Sequence, residues 1–173
     1  MALRQILVAP DPILKAKAKP VETVDADVRQ MMDDMLETMY DAPGIGLAAP
    51  QIGVSRRVIV LDIAREDEPR APLCMANPDL IWVSDEDATY EEGCLSVPEH
   101  YAEVARPARI RVAYLDRDGT PQQLEAEGLL ATVIQHEMDH LDGVLFIDHL
   151  SSLKRNMILR KLLKSRKVLE EAS

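Results

Sequence analysis

Residues 128–141 read Gly-Leu-Leu-Ala-Thr-Val-Ile-Gln-His-Glu-Met-Asp-His-Leu, and this stretch decides the fold. Leu129, Leu130, Val133, Ile134, Met138 and Leu141 recur at helical spacing, and Gly143 stands where a helix commonly ends. The spacing predicts an amphipathic helix over 128–141. Within it His136 and His140 are four residues apart, so both imidazoles project from one face and can share one metal ion. Glu137 follows the first histidine and flanks that face, where it can take a proton from water activated there. Ionisable groups set among apolar neighbours need a compensating partner, and a metal supplies one.

Two imidazoles leave a tetrahedral ion short of a ligand. An HExxHxxGxxH continuation would add a third histidine, and the chain follows that pattern to Gly143 but carries Phe146 at its last position. His149 lies three residues further, beyond the short turn that the pattern requires. The strong donor that remains is upstream, in Glu91-Glu92-Gly93-Cys94-Leu95-Ser96-Val97-Pro98. A cysteine beside glycine, ahead of a proline-ended apolar segment, can present a thiolate and a free backbone N–H; a metal or nearby cations would keep that thiol ionised. The alternative for Cys94 is a small buried hydrophobe, the reading that suits Cys74.

A third stretch, Gly44-Ile45-Gly46-Leu47-Ala48-Ala49-Pro50-Gln51-Ile52-Gly53, formally matches a dinucleotide-binding fingerprint, with Asp62 at a suitable distance downstream. Its context excludes that reading. The fingerprint must follow a strand and open a helix, whereas this stretch follows a helix and precedes a strand, and Pro50 would interrupt the helix. The glycines can instead let backbone approach a substrate closely, with the Gln51 side chain offering an N–H donor; a mere tight turn is the alternative.

Around these three stretches the pattern is α+β. Val28, Met31, Met32, Met35, Leu36 and Met39 predict a helix over 25–41, capped by Asp25 or Asp27 and ended by Pro43-Gly44. Strands are expected at 57–63, 79–83, 102–105, 109–115 and about 122–126, the last two joined as a hairpin by Asp116-Arg117-Asp118-Gly119, with a charged surface loop over 66–72. A terminal helix is expected from Ser151 to about Lys167. One helix, several antiparallel strands and then two helices is not the alternation of a parallel-sheet protein.

Composition bounds the function. At 173 residues and 19.3 kDa the chain reads as one domain, 1–173, in which 150–173 form a basic C-terminal helix. Hydrophobic residues at 47% and charged residues at 29% describe a globular chain, and aromatics at 3% argue against a stacking platform for single-stranded nucleic acid. No apolar run approaches a membrane span, no signal peptide or presequence is evident, and two cysteines are too few for a disulfide framework, so a cytoplasm is the expected setting. The net charge of −10 is unevenly spread: residues 1–148 carry 13 Lys/Arg against 28 Asp/Glu, residues 149–173 seven against two. The basic end either meets a polyanion or is a solvated face that complements the acidic body.

Taken in order, GIGLAAPQ (44–51), EGCLS (92–96) and QHEMDHL (135–141) resemble, position by position, the three motifs of the peptide deformylase family. The resemblance covers nearly the whole chain. It implies antiparallel β-sheets packed around a central metal-binding helix, with an N-terminal and a C-terminal helix. It implies removal of the formyl group from formyl-methionyl nascent polypeptides, with Cys94, His136 and His140 as metal ligands and Glu137 as general base and acid. Gln51 and the backbone N–H of Leu95 would form the oxyanion site, Gly46 would pair with the substrate main chain, and Ile45, Leu129, Thr132 and Val133 would shape the methionine pocket. Tyr101 stands where some bacterial members place an arginine near the substrate. The family implies Fe²⁺, one per chain, with Zn²⁺, Ni²⁺ or Co²⁺ as substitutes, a monomer, and a basic C-terminal helix that docks on the ribosome. Two rivals use part of the same pattern. A zinc endopeptidase would need a third ligand other than Cys94, and a non-catalytic metal-holding module would have no use for Glu137.

Overall fold

The computed structural model describes residues 2–172, with side chains through Lys167. The helix α1 (Ala26–Asp41) opens on Asp25, whose carboxylate accepts from the Val28 N–H and so satisfies one of the first-turn donors. Its methionine stripe faces a five-stranded antiparallel sheet built from β1 (Gly46–Ala48), β2 (Val58–Leu61), β3 (Leu73–Val83), β6 (Arg109–Leu115) and β7 (Pro121–Glu127), in that spatial order. Between β3 and β6 the chain makes a separate two-stranded ribbon from β4 (Asp87–Cys94) and β5 (Val97–Pro107). The helices α2 (Gly128–Leu141) and α3 (Ser152–Ala172) follow.

The central strands are buried on both faces, and their side chains alternate between two cores. Leu47, Val58 and Val60 point to α1 and meet Met32, Met35 and Met39. Ala48, Ile59 and Leu61 point the other way and meet Ala131, Ile134 and Leu141 of α2. The metal-binding candidate helix thus lies on a fixed apolar bed, with its polar face turned toward β4 and β5. A third cluster, including Leu14, Val97, Val104, Phe146 and Leu162, joins the ribbon to the root of α3. At the end of α2, Gly143 has φ of 75°, and a Cβ there would lie 2.6 Å from the backbone carbon of Lys15, so both the turn and the close approach require glycine.

The three helices, the 109–126 hairpin and the Asp25 cap agree with the sequence reading. The strands expected at 79–83 and 102–105 are parts of longer ones, Leu73–Val83 and Val97–Pro107. Two strands had no expectation: Asp87–Cys94, whose inward positions Ala88, Tyr90 and Glu92 make no apolar period, and Gly46–Ala48, which lies inside what reads as a glycine loop. Among the described residues no helix is long and apolar enough to cross a membrane.

Candidate metal centre

Cys94 ends β4, where the ribbon register shifts between Gly93 and Cys94, and the turn that follows carries Leu95. That kink aims the thiol at α2. Its Sγ lies 3.3 Å from His140 Nε2, and the ligand atoms of Cys94, His136 and His140 all fall within 4.8 Å of one another. One ion can reach all three. The imidazole rings of His136 and His140 meet edge to face, with centroids 5.3 Å apart. His140 is 1% exposed and its Nδ1 has no hydrogen-bond partner among the described residues; Glu137 Oε1 is likewise buried and unpartnered. One sulfur, two ring nitrogens and orphaned polar atoms beside them form a donor set that fits a borderline divalent metal.

Glu137 stands beside this cluster rather than in it. Its carboxylate oxygens are 4.0 Å from His136 Nε2 and from His140 Nε2. Burial raises its pKa to about 7, so the carboxyl is poised to exchange a proton near neutrality. Behind His136, Glu92 Oε1 accepts from Nδ1 at 2.9 Å, which leaves Nε2 as the lone-pair donor toward the cluster. Glu92 is in turn gripped by Arg106 at 2.7 and 2.9 Å, and the same guanidinium reaches Asp139 at 2.7 Å. Burial alone would raise the Glu92 pKa, but the His136 and Arg106 hydrogen bonds outweigh it and hold the group ionised.

Gln51 lies in the short 3-10 turn Ala49–Ile52 and is 1% exposed. Its Oε1 accepts from the Ala48 N–H at 2.9 Å, which fixes the amide so that Nε2 donates to Ser96 Oγ at 3.0 Å and faces Cys94 Sγ at 3.5 Å. A cleft of about 430 Å³ opens over the cluster, walled on one side by Pro43–Gly46 and on the other by residues 93–101, where β4 turns into β5. Ile45 is 45% exposed there, and Tyr101 is 67% exposed with its ring against Gly93. Leu129, Thr132 and Val133, expected at the methionine pocket, do not line this cleft: Leu129 is surface-exposed, and Thr132 and Val133 are buried. Phe146, which takes the place of a third histidine in sequence, stacks on the His136 ring with centroids 6.1 Å apart. Cys74 lies away from the centre, and burial pushes its thiol up to about 11, in keeping with a packing role.

The profile of the polypeptide deformylase family matches residues 3–156. A peptide deformylase from Methylocella silvestris is 60% identical over 171 residues, covering 97% of this chain and 87% of that one. The chain belongs to the polypeptide deformylase family. Among solved structures, the crystal structure of peptide deformylase from Ehrlichia chaffeensis superimposes with a TM-score of 0.92 at 38% identity, covering 96% of this chain and 98% of that one. A second structure of the Ehrlichia chaffeensis deformylase, in complex with actinonin, gives 0.91 at 40% identity over 95% of this chain and 98% of that one. The deformylase fold and the enzyme class, a hydrolase, are therefore those of this chain, and the resemblance carried by three short motifs extends to the whole architecture.

Glu92 and Arg106 were not singled out by the sequence. Glu92 sits within the second motif, two residues before Cys94, and its place there is the only signal it gives. Arg106 gives none: it lies far from every motif in sequence and reaches the centre only because β5 folds back along β4, pairing it with Ala88.

Proposed function

We propose that this chain removes the formyl group from N-formyl-methionyl nascent polypeptides, releasing formate, and that residues 1–173 act as one catalytic domain. The observation that carries this reading is the convergence of Cys94, His136 and His140 with the Glu137 carboxylate at the floor of a cleft. A metal held by the three ligands would supply Lewis acidity and make water available as a nucleophile near neutral pH. Fe²⁺ is the working ion in this reading, with Zn²⁺, Ni²⁺ or Co²⁺ as substitutes that the same donors accept.

The chain's own groups supply the rest. Glu137 takes the proton of the attacking water as the new C–O bond forms at the formyl carbon. Negative charge then gathers on the formyl oxygen, where the Gln51 amide and the Leu95 N–H stabilise it; losing one such donor typically costs ~100- to 1000-fold in rate. Glu137 next delivers its proton to the amine nitrogen as the C–N bond breaks, which leaves formate and a free N-terminus. The peptide lies extended along the open edge of β1, its main chain pairing with Gly46 and its side chains between Ile45 and Tyr101. Leu129, Thr132 and Val133 contribute to the methionine pocket only from behind the cleft wall. Discrimination against ordinary amides is steric, since a formyl carbon carries only hydrogen. The acidic body is the catalytic unit of a bacterial cytoplasmic monomer, and the basic α3 docks it on the ribosome.

Formate release from formyl-Met-Ala-Ser by anaerobically purified protein, with metal content measured on the same sample, tests the reading. Turnover of the formylated peptide with none of acetyl-Met-Ala-Ser is expected. Cleavage between residues of an unformylated peptide would instead favour an endopeptidase.

A further inference from the structure

Asp62, the acid that a dinucleotide fingerprint would have used, is 4% exposed just past the end of β2. Its carboxylate accepts from Tyr40 Oη at 2.6 Å and from the backbone N–H groups of Ala64 and Ala71 at 2.9 and 3.0 Å, while its own N–H donates to the Ile45 carbonyl at 2.9 Å. Tyr40 is in the last turn of α1, and the guanidinium of Arg70 covers its ring at 4.0 Å. From the end of α1 into the first residue of β1 run Pro43, Gly44, Ile45 and Gly46, which form one wall of the cleft. The tyrosine–aspartate bond therefore ties the end of α1 to the residue that holds Ile45, across a segment where the Gly44 N–H donates to the Met39 carbonyl and the Asp62 N–H to the Ile45 carbonyl.

We propose that Tyr40 and Asp62 form a strap that sets the position of the Pro43–Gly46 wall, making Tyr40 a positioning residue for substrate binding. The strap rests on the deformylase reading given above. An O–H donor to a carboxylate at this distance is among the stronger protein hydrogen bonds, and it is shielded by the Arg70 cation and the surrounding apolar side chains. Releasing it frees the α1 end to drift from β2. The wall then loses its fixed spacing from residues 93–101, and an extended peptide must reorder it on binding. That cost falls on the affinity for peptide: Gly46, which lies against Glu137, stays held by its pairing with Leu61 of β2 while Pro43–Ile45 shift, and Cys94, His136, His140 and Glu137, on other elements, keep their mutual geometry. Burial and the bond to Asp62 raise the Tyr40 pKa to about 12, so the donor proton is retained throughout the working range.

The test is Tyr40→Phe, which removes one oxygen, compared with Tyr114→Phe on β6 as a control. On formyl-Met-Ala-Ser, KM is expected to rise roughly 5- to 20-fold in Tyr40→Phe, with kcat and metal content close to wild type and Tyr114→Phe unchanged. A role confined to stability would lower the melting temperature and leave KM where it was, and that result overturns the strap. Arg70→Ala, which uncovers the ring without touching the bond, is expected to move KM in the same direction by less. Hydrogen exchange at the Asp62 amide, which reports the Ile45 contact, is expected to quicken in Tyr40→Phe. Unchanged protection there overturns the proposal even if wild-type protein releases no formate, an outcome that would sink the deformylase reading separately.

Discussion

The carboxylate of Glu137 occupies the space that a side chain on Gly46 would need. A Cβ built on Gly46 would lie 2.9 Å from Glu137 Cδ and closer still to Oε2, so edge strand and acid are fitted to each other through a missing methyl group. The glycine therefore leaves the acid its seat, and in the proposed function it also exposes the backbone that the extended peptide pairs with. Gly46→Ala is expected to displace the Glu137 carboxylate and lower kcat by about 100-fold, the scale on which misplacing a reacting group by an ångström is felt. Metal content, measured by atomic emission on the same sample, should stay at the wild-type level because none of the three candidate ligands is touched.

Ligand and base should separate cleanly under mutation. Glu137→Gln keeps the shape of the side chain but cannot accept the proton, so metal is retained and kcat falls by about 100- to 10,000-fold. Cys94→Ala leaves two imidazoles on one helix as the only donors, and metal should be lost on dialysis against a mild chelator. Substantial turnover in metal-loaded Glu137→Gln protein, or full metal content in dialysed Cys94→Ala, would contradict the assignment.

The distribution of these residues explains what the sequence could disclose. His136, Glu137 and His140 are legible because one helix presents them at a spacing that no other local structure explains, and the apolar positions around them give that helix its bed. Cys94 is legible only as the strong donor left over, and its role comes from resemblance. The ribbon that carries it was half invisible, since the inward positions of β4, Ala88, Tyr90 and Glu92, make no apolar stripe and its burial comes from pairing with β5. Gly46 looks like part of a loop because three residues are too few to show a strand period. Arg106 and Asp62 act across 33 and 22 positions of chain, on Asp139 and Tyr40, and nothing local marks such contacts.

Acid should loosen the N-terminal segment. Asp34 on α1 is 3% exposed and receives Arg4 Nη2 at 2.8 Å, Gln30 Nε2 at 2.9 Å and the Ala2 N–H at 2.8 Å. Burial alone would raise its pKa, but these bonds outweigh it and hold the carboxyl below its ordinary value of 3.8. A depressed folded-state pKa contributes stability that is complete above the unfolded value and fades as pH falls through the folded one. Asp34→Asn should therefore be less stable than wild type at pH 7, with the gap narrowing below about pH 4. Urea unfolding at pH 7, 5 and 3 measures it, and a gap independent of pH would show that the bonds, not the charge, matter.

Arg106 holds together the two parts of the molecule that supply the candidate metal donors. It is on β5, 5% exposed, and binds Glu92 of β4 and Asp139 of α2 at once; Glu92 in turn bonds to His136, and Asp139 receives His149 Nε2 at 2.9 Å. The thiol comes from the ribbon and the imidazoles from the helix, so their relative placement depends on whatever ties ribbon to helix. Removing the guanidinium also leaves Glu92 buried without its cation, a situation that typically costs about 3–5 kcal/mol. Arg106→Met is thus expected to lower the melting temperature markedly, and to release metal to a chelator about 10- to 100-fold faster, as when a partner behind a ligating histidine is lost. Arg106→Lys restores one charge but not the fork that spans two carboxylates, so it should recover stability more than metal retention. Recovery of both by lysine would mean that charge alone is needed there, and the two-armed geometry would lose its significance.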